Sequence, residues 1–364
     1  TSLSSTEFAL NLYRSSSDSS SNFVISPFSF GSSIAILNEG AKGITQDELT
    51  KIYGINATQS DISSLYSDQT KSLEDKKDNG VVVSVANRFY VDKNLTLIPE
   101  YNARIRNKFN VVIESIDFKD GDAAAKKVND FANKETRGMI PSIVVPESFK
   151  NVTSTIVNAV YFNGIWNTQF NKNLTKDRDF HGIKGIRKTL FMNYRGEALL
   201  YSQSINLSIV SIPYKDGDYS MVVMMPTGHF DSFKQGLTHE SFKKSINSLK
   251  KEALNVALPK FKIESTTNGV ETLNKMGVNI VFSDESNLSG ISNNPLKVSQ
   301  ILHKSVIEVK EEGTKAAAAT VINTVHITSS ALPRERISIV FDRPFIYAIF
   351  KGLKEIVFIG QYVV

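Results

Sequence analysis

The sequence predicts an α+β protein with large mixed or antiparallel sheets around one shared core. Helix patterns dominate roughly the first 150 residues and strand patterns dominate the remainder, without the regular strand–helix alternation that builds a parallel sheet. No segment has the composition of a linker, so we expect a single domain over residues 1–364.

The helices are predicted from their first residues and from the breaks between them. A short N-terminal helix pattern ends in the Ser/Asp run 15–21. Ser26 before Pro27 suits an N-cap followed by proline in the first turn, and the uncharged segment after it predicts a buried helix. Thr45 and Glu48 have the spacing of a capping box. The predicted helices are Pro27–Asn38, Thr45–Tyr53, Pro99–Phe109 and Asp122–Thr136.

Strands are predicted where apolar residues alternate or run together. The run Thr153–Phe162 is too apolar for a strand with one solvated face, so we expect it at the centre of a covered sheet. Ile209–Pro213 and Tyr219–Met225 flank a turn and predict a hairpin. The other predicted strands are Val81–Val91, Val111–Phe118, Leu254–Pro259, Phe261–Ser265, Val306–Lys310, Ile337–Phe341, Phe345–Phe350 and Ile356–Val364.

The composition is that of an ordinary soluble globular protein. Apolar residues make up 41% and charged residues 22% of the 364-residue chain. The absence of cysteine excludes disulfides, thiol catalysis and thiolate metal sites, and we expect no metal and no cofactor. No run approaches the roughly 18–20 apolar residues of a membrane span.

The formal net charge of +5 is mild for this length, but basic residues do cluster. We interpret the clusters as solvated surfaces, with a glycosaminoglycan site as the alternative. Nucleic acid is not expected, because no basic stripe carries interleaved aromatic residues. The clusters are Arg104, Arg106 and Lys108; Lys184, Arg187 and Lys188; and Lys243, Lys244, Lys250 and Lys251.

Six Asn-x-Ser/Thr sequons favour an extracellular, secreted or cell-surface protein, with a cytoplasmic location as the alternative. The first residue is not methionine, which is compatible with removal of a signal peptide or tag. Sequons that fall in buried strands would not be glycosylated. The candidates are Asn56, Asn94, Asn151, Asn173, Asn206 and Asn287.

Sequence motifs of catalysis are absent. None of the five histidines has zinc-protease spacing, and no nucleophile elbow, phosphate loop or dinucleotide fingerprint occurs. A Ser-His-Asp triad assembled from distant residues would not be visible in sequence, so a hydrolase remains an alternative.

The most informative stretch runs from Glu311 to Thr320. It follows the predicted strand Val306–Lys310 and precedes about 20 residues without regular pattern, and a loop of such length inside a compact domain is usually functional. Its four alanines also fit an alanine-rich helix or an ordinary surface loop.

The alternation of residues in this stretch suits insertion into a sheet. In an inserted strand, every second residue from Thr314 would face the core, and this inward set has no full charge and no bulky group before Ile322. Lys315 falls on the outward face.

The stretch resembles the hinge of inhibitory serpins, in which Glu-Glu-Gly-Thr is followed by one charged residue, four small residues and threonine. The family usually has an acid where this chain has Lys315. The resembling hinge residues are Glu311, Glu312, Gly313, Thr314, Ala316, Ala317, Ala318, Ala319 and Thr320. Six other segments resemble serpin motifs and occur in the same order as in that family: 23–29, 39–45, 158–166, 258–261, 302–304 and 342–345.

The resemblance implies three sheets, about nine helices and an exposed reactive-centre loop at about residues 311–336. It implies a monomer that traps a serine protease as a suicide substrate and supplies no catalytic group. A non-inhibitory carrier, chaperone or storage protein is the alternative. The resemblance also assigns a gate on sheet opening to Ser26, Ser29, Asn158 and His303, although these residues would also suit an ordinary hydrogen-bonded core.

The position of the reactive bond is less defined. The usual serpin spacing places it at Ile327–Thr328, which suits an elastase- or chymotrypsin-like enzyme. The stretch up to Pro344 is longer than usual, and a longer loop would move the bond toward Ser329 or Leu332, or to Arg334–Glu335. Arg334 or Arg336 would suit a trypsin-like enzyme.

Overall fold

The computed structural model describes residues 5–54, 56–74, 80–313 and 335–364. Within these residues the chain forms nine α-helices and fourteen strands. The helices are α1 (Ser5–Ser16), α2 (Pro27–Asn38), α3 (Gly43–Lys51), α4 (Gln59–Glu74), α5 (Pro99–Phe109), α6 (Gly121–Glu135), α7 (Phe230–Gly236), α8 (His239–Asn247) and α9 (Gly269–Lys275). The strands are β1 (Phe23–Ile25), β2 (Val81–Asp92), β3 (Ile113–Ile116), β4 (Ser154–Gly164), β5 (Lys176–Gly182), β6 (Gly185–Gln203), β7 (Leu207–Pro213), β8 (Tyr219–Pro226), β9 (Lys250–Pro259), β10 (Phe261–Asn268), β11 (Gln300–Val309), β12 (Ile337–Val340), β13 (Phe345–Lys351) and β14 (Glu355–Tyr362).

A five-stranded sheet has the order β10-β11-β4-β2-β3. The predicted strand Thr153–Phe162 is its middle strand, β4, and is buried along almost its whole length. Helix α6 packs on one face of this sheet, whereas α2 covers the other face. Because both faces are covered, consecutive residues of β4 such as Ile156 and Val157 lie in different apolar clusters, one on each side of the sheet. The continuous apolar run is therefore explained by a covered central strand.

The second sheet has nine strands, in the order β1-β14-β13-β8-β7-β6-β9-β12, with β5 paired to β6. Strand β6 is 19 residues long, and its register with β9 shifts between Gly196 and Leu199. Its first part pairs with β5 and its last part pairs with β7. Two of the three expected sheets are thus joined through β6 into one hydrogen-bonded sheet, and the predicted α+β class is confirmed.

The predicted start of α2 is confirmed, because the side chain of Ser26 accepts a hydrogen bond from the amide of Ser29. The predicted capping box of Thr45 and Glu48 is wrong. Helix α3 begins at Gly43, the Thr45 hydroxyl accepts from the amide of Asn287, and the Glu48 carboxylate accepts from two amides near residue 280. Both side chains therefore form hydrogen bonds with a segment more than 200 residues away instead of capping α3.

None of the helices in the described part of the chain is long and apolar enough to span a membrane. The same residues hold no group of three or more histidine or acidic side chains placed to bind a metal ion.

Candidate functional site

The candidate site lies between β4 and β11, which are neighbours in the five-stranded sheet. The two strands run parallel, and their register extends from Gln300 opposite Thr155 to Ile307 opposite Phe162. A strand inserted between them in the opposite direction would exchange one parallel ladder for two antiparallel ladders, and antiparallel pairing is slightly more stable per residue.

The chain leaves β11 beside the end of β4. Gly313 forms an isolated antiparallel bridge with Ile165, directly after β4. Its φ is +80°, and a Cβ atom there would lie 2.0 Å from the carbonyl oxygen of Gly164. Only glycine fits such a close approach with a positive φ. The segment after Gly313 therefore starts at the ends of the two strands between which it would insert.

Glu311 is held beside this point by its side chain and its backbone. Its carboxylate lies 2.9 Å from Lys260 Nζ and accepts a 2.8 Å hydrogen bond from the Thr175 hydroxyl. Its carbonyl oxygen accepts from the amide of Phe170 at 2.8 Å. Burial raises the pKa of the Glu311 carboxyl, but the hydrogen bonds from Lys260 and Thr175 outweigh burial, so the pKa lies below its ordinary value. Glu311 is therefore a charged anchor at neutral pH.

Two further contacts fix the same region. Glu312 forms an ion pair with Lys172. The indole of buried Trp166 donates a 2.7 Å hydrogen bond to the carbonyl of Lys310 and stacks on Tyr214. The segment after β4 and the end of β11 are thereby fastened to each other.

Most of the predicted loop lies outside the described residues. This applies to the hinge residues from Thr314 to Thr320, to the proposed bond Ile327–Thr328 and to Arg334. Glu335 is described and exposed. Arg336 donates to the carbonyl of Gly196 and forms an ion pair with Glu197.

The four residues assigned to the gate lie in one buried layer between α2 and the five-stranded sheet. The amide side chain of Asn158 on β4 hydrogen-bonds to the Ser29 hydroxyl and to the Ser29 carbonyl. The hydroxyl of Ser26 donates to the carbonyl of Val357 at 2.8 Å. The layer thus joins the helix to β4 and to the nine-stranded sheet.

His303 is the fourth member of this layer and is completely buried. Its Nε2 atom accepts from the amide of Ser26 at 3.3 Å and lies 2.7 Å from the Ser305 hydroxyl. Because Nε2 accepts, the neutral ring carries its proton on Nδ1. Strand register places His303 directly opposite Asn158, so the layer crosses the β4–β11 boundary.

Sequence reasoning missed two members of this layer. Ser33 of α2 donates to Asn87 Oδ1 at 3.2 Å and also accepts from Asn158. Asn87 lies opposite Asn158 on the neighbouring strand β2. A lone serine and a lone asparagine carry no sequence signal, whereas the register of the sheet identifies them at once.

Comparisons with known proteins agree with this architecture. The family model "Serpin (serine protease inhibitor)" matches residues 3–364. This chain is a serpin. It is 30% identical to leukocyte elastase inhibitor of Sus scrofa (99% of this chain, 98% of the relative) and 32% identical to antitrypsin of Bombyx mori (90% and 84%). The structure of human thyroxine-binding globulin has a TM-score of 0.87 at 23% identity over 100% of this chain and 98% of that chain, which shows the fold alone.

All six sequon asparagines of this serpin are exposed. None of them falls in a buried strand, because they lie in turns, loops and one short 3-10 helix. Each is therefore sterically available for a glycan.

Two of the three cations in one basic cluster share an ion-pair partner within the serpin. Arg104 and Lys108 both form ion pairs with Glu39, whose side chain is buried. Arg106 is exposed on the same helix. The cluster on α5 is thus mainly a structural ion-pair network.

His303 is expected to make the stability of this serpin depend on pH. Burial lowers its pKa to about 3, and the Ser26 amide, the Ser305 hydroxyl and the Phe30 ring that contact it carry no charge. A histidine in an unfolded chain has a pKa of about 6.5. Below that value the unfolded chain binds a proton that the native state does not, so the contribution of His303 is complete above pH 6.5 and is lost as the pH falls toward 3.

Between pH 6.5 and 5 we expect a loss of about 2 kcal/mol through this residue. Thermal melting at pH 7, 6 and 5 would check it, with His303→Gln as the comparison. The wild-type melting temperature should fall more steeply than that of the variant. Parallel slopes would contradict the assignment.

Proposed function

We propose that this serpin inhibits a serine protease as a suicide substrate. The protease attacks a peptide bond of the loop, the peptide bond breaks, and the new amine end of the loop leaves with a proton from the protease. The loop then remains as an ester on the protease serine. The serpin supplies the peptide bond and no catalytic group.

In the second step the freed segment inserts between β4 and β11 and carries the protease with it. Insertion of a reactive loop is a known form of strand addition in serpins. About 14 residues at ~3.3 Å each would form an inserted strand of roughly 45 Å. The observation that carries the proposal is the parallel β4–β11 pair with Gly313 at its end.

The layer of Ser26, Ser29, Asn158 and His303 is proposed as the gate of this insertion. β4 and β11 must separate, and Asn158 and His303 lie opposite each other across that boundary. Asn158 hydrogen-bonds to Ser29 of α2 and His303 to Ser26 directly before it, so separation of the strands strains a buried network. Because these buried hydrogen bonds must break before β4 and β11 separate, we expect opening of the sheet to be slow.

The finer assignments are proposals of the same kind. We propose Ile327–Thr328 as the reactive bond, with Arg334–Glu335 as the alternative, and an elastase-, chymotrypsin- or trypsin-like target. We further propose an extracellular monomer with glycans at some of the six exposed sequons. Mass spectrometry of the peptide released by the protease identifies the bond.

A denaturing gel tests the proposed function. The serpin is mixed with trypsin-, chymotrypsin- and elastase-like enzymes at increasing ratios. An inhibitor gives a detergent-stable band at the summed mass, whereas a non-inhibitory carrier gives only clipped chain. If no enzyme of the panel yields the stable band, the proposed function is wrong.

Replacement of the buried anchor, Glu311→Gln, is expected to destabilise the intact serpin by about 2 kcal/mol, because a charged hydrogen bond to Lys260 is lost. The variant should also lose inhibitory activity faster on incubation, since the segment that leads to Gly313 is held less firmly. Thermal melting and residual inhibition after timed incubation measure both effects.

Glu308→Gln is the matched control, because Glu308 lies on the adjoining strand β11 and its ion pair is with Lys310 at 3.4 Å, not with Lys260. If the two variants lose inhibitory activity at the same rate, Glu311 does not anchor this segment.

A further inference from the structure

A groove of about 710 Å³ is lined in part by β12 and has no role in the mechanism above. It lies where β5, β6, β9 and β12 adjoin. We call it the basic groove. Three cations among its lining residues carry the argument: Lys176, Arg178 and Arg195. The amides of Asn171, Asn193 and Asn255 also line the groove and make hydrogen bonds within the serpin.

The cations of the basic groove are not neutralised by the part of the serpin that the structure describes. Lys176 and Arg178 have no ion-pair partner among those residues. Arg195 lies 3.9 Å from Glu197, but both side chains are more than two-thirds exposed and Glu197 is also paired with Arg336. The segment 314–334 contains no aspartate or glutamate, so it does not supply the missing charge either.

The basic groove lies between the two points where the loop joins the described structure. One rim is the segment 169–176, and this segment binds the backbone and side chain of Glu311 through Phe170 and Thr175. The opposite rim is β12, the first strand after residues 314–334. A protease that holds the loop in its active site is therefore brought close to this face.

We infer that the basic groove is a docking site for an acidic surface segment of the protease, outside the active-site cleft. This inference rests on the proposed function. The cations pair with carboxylates. The groove adjoins both ends of the loop that the protease holds, which favours the protease as its occupant over a sulfated polysaccharide. Charge complementarity of this kind accelerates association more than it changes the subsequent chemistry.

The test compares two charge-reversed variants. The first carries Lys176→Glu, Arg178→Glu and Arg195→Glu, and the control carries Lys243→Glu, Lys244→Glu and Lys251→Glu, which are exposed outside the groove. Both lose the same net charge. Unglycosylated protein is used, because sequon Asn173 also lines the groove. The probe is the panel enzyme that forms the covalent band with the wild type.

We expect the association rate constant of the groove variant to fall about tenfold at low ionic strength and less than about twofold near 1 M salt, where charges are screened beyond ~3 Å. The control should stay within about twofold of the wild type, and the number of serpin molecules used per trapped protease should not change. Arg195→Glu alone, at a largely exposed side chain, keeps the test valid if the triple variant fails to fold and should lower the rate about threefold.

Equal rate constants for the groove variant, the control and the wild type would overturn the docking site. Loss of retention on heparin–agarose in the groove variant with an unchanged rate would assign the groove to a polysaccharide and also overturn it. Absence of any covalent band with the wild type would instead overturn the proposed function, and the docking site with it.

Discussion

Thr314→Arg is expected to turn the inhibitor into a substrate. After cleavage the segment must enter the sheet where Gly313 meets the end of β4, and Thr314 is the first residue to follow. An inward-facing guanidinium would lose its hydration without a partner, at a cost of several kcal/mol. Each ~1.4 kcal/mol slows insertion about tenfold, so hydrolysis of the ester would overtake it.

The measurement is the number of serpin molecules consumed per protease trapped, read from a titration on a denaturing gel. We expect it to rise at least about tenfold for Thr314→Arg. Lys315→Arg is the matched control, because it places the same group on the outward face of the inserted strand and should behave like the wild type. Full covalent complex with Thr314→Arg at wild-type ratios would refute insertion through this hinge.

The elements that the sequence predicted well are those whose local chemistry agrees with their tertiary surroundings. Ser26 and Pro27 start α2, and its lack of charged residues reflects burial on all sides. Strand β4 was placed correctly at the centre of its sheet because both of its faces are covered. In both elements, burial on every side excludes charged residues along the whole length, and this is visible in the sequence.

The elements that it missed lack such a pattern. The first part of β6 is exposed, and its residues from Gly185 to Lys188 show no apolar alternation. Helix α4 is largely polar between Gln59 and Glu74. Their positions are fixed by partners that are distant in sequence, since β6 is paired with β9 about 60 residues later.

The candidate site was predicted only in part for a similar reason. The hinge and the four gate residues are predictions made through resemblance to a family. Ser33, Asn87 and the basic groove depend on strand register and on the joining of four strands. Such features depend on which strands lie side by side in the fold, and no spacing of residues in the sequence indicates them.

Cleavage of the loop without a trapped protease is expected to raise the melting temperature of the serpin. In the described state β4 and β11 pair directly, and an inserted strand would form hydrogen bonds with both. An inserted strand of about 14 residues replaces the single β4–β11 ladder by two ladders and buries every second side chain, and we expect this gain to exceed the entropy cost of ordering the segment. At ~2 °C per kcal/mol, a net gain of about 5 kcal/mol would raise the melting temperature by about 10 °C.

Calorimetry of intact and nicked protein measures this rise, and the nicked Thr314→Arg variant supplies the control. The peptide bond is broken in both nicked forms, so a rise that came merely from the release of loop strain would be the same in each. A rise caused by insertion should be smaller when an arginine must enter the sheet. If nicked wild-type protein melts no higher than intact protein, the β4–β11 pair is already the most stable arrangement, and no free energy is available to displace a protease.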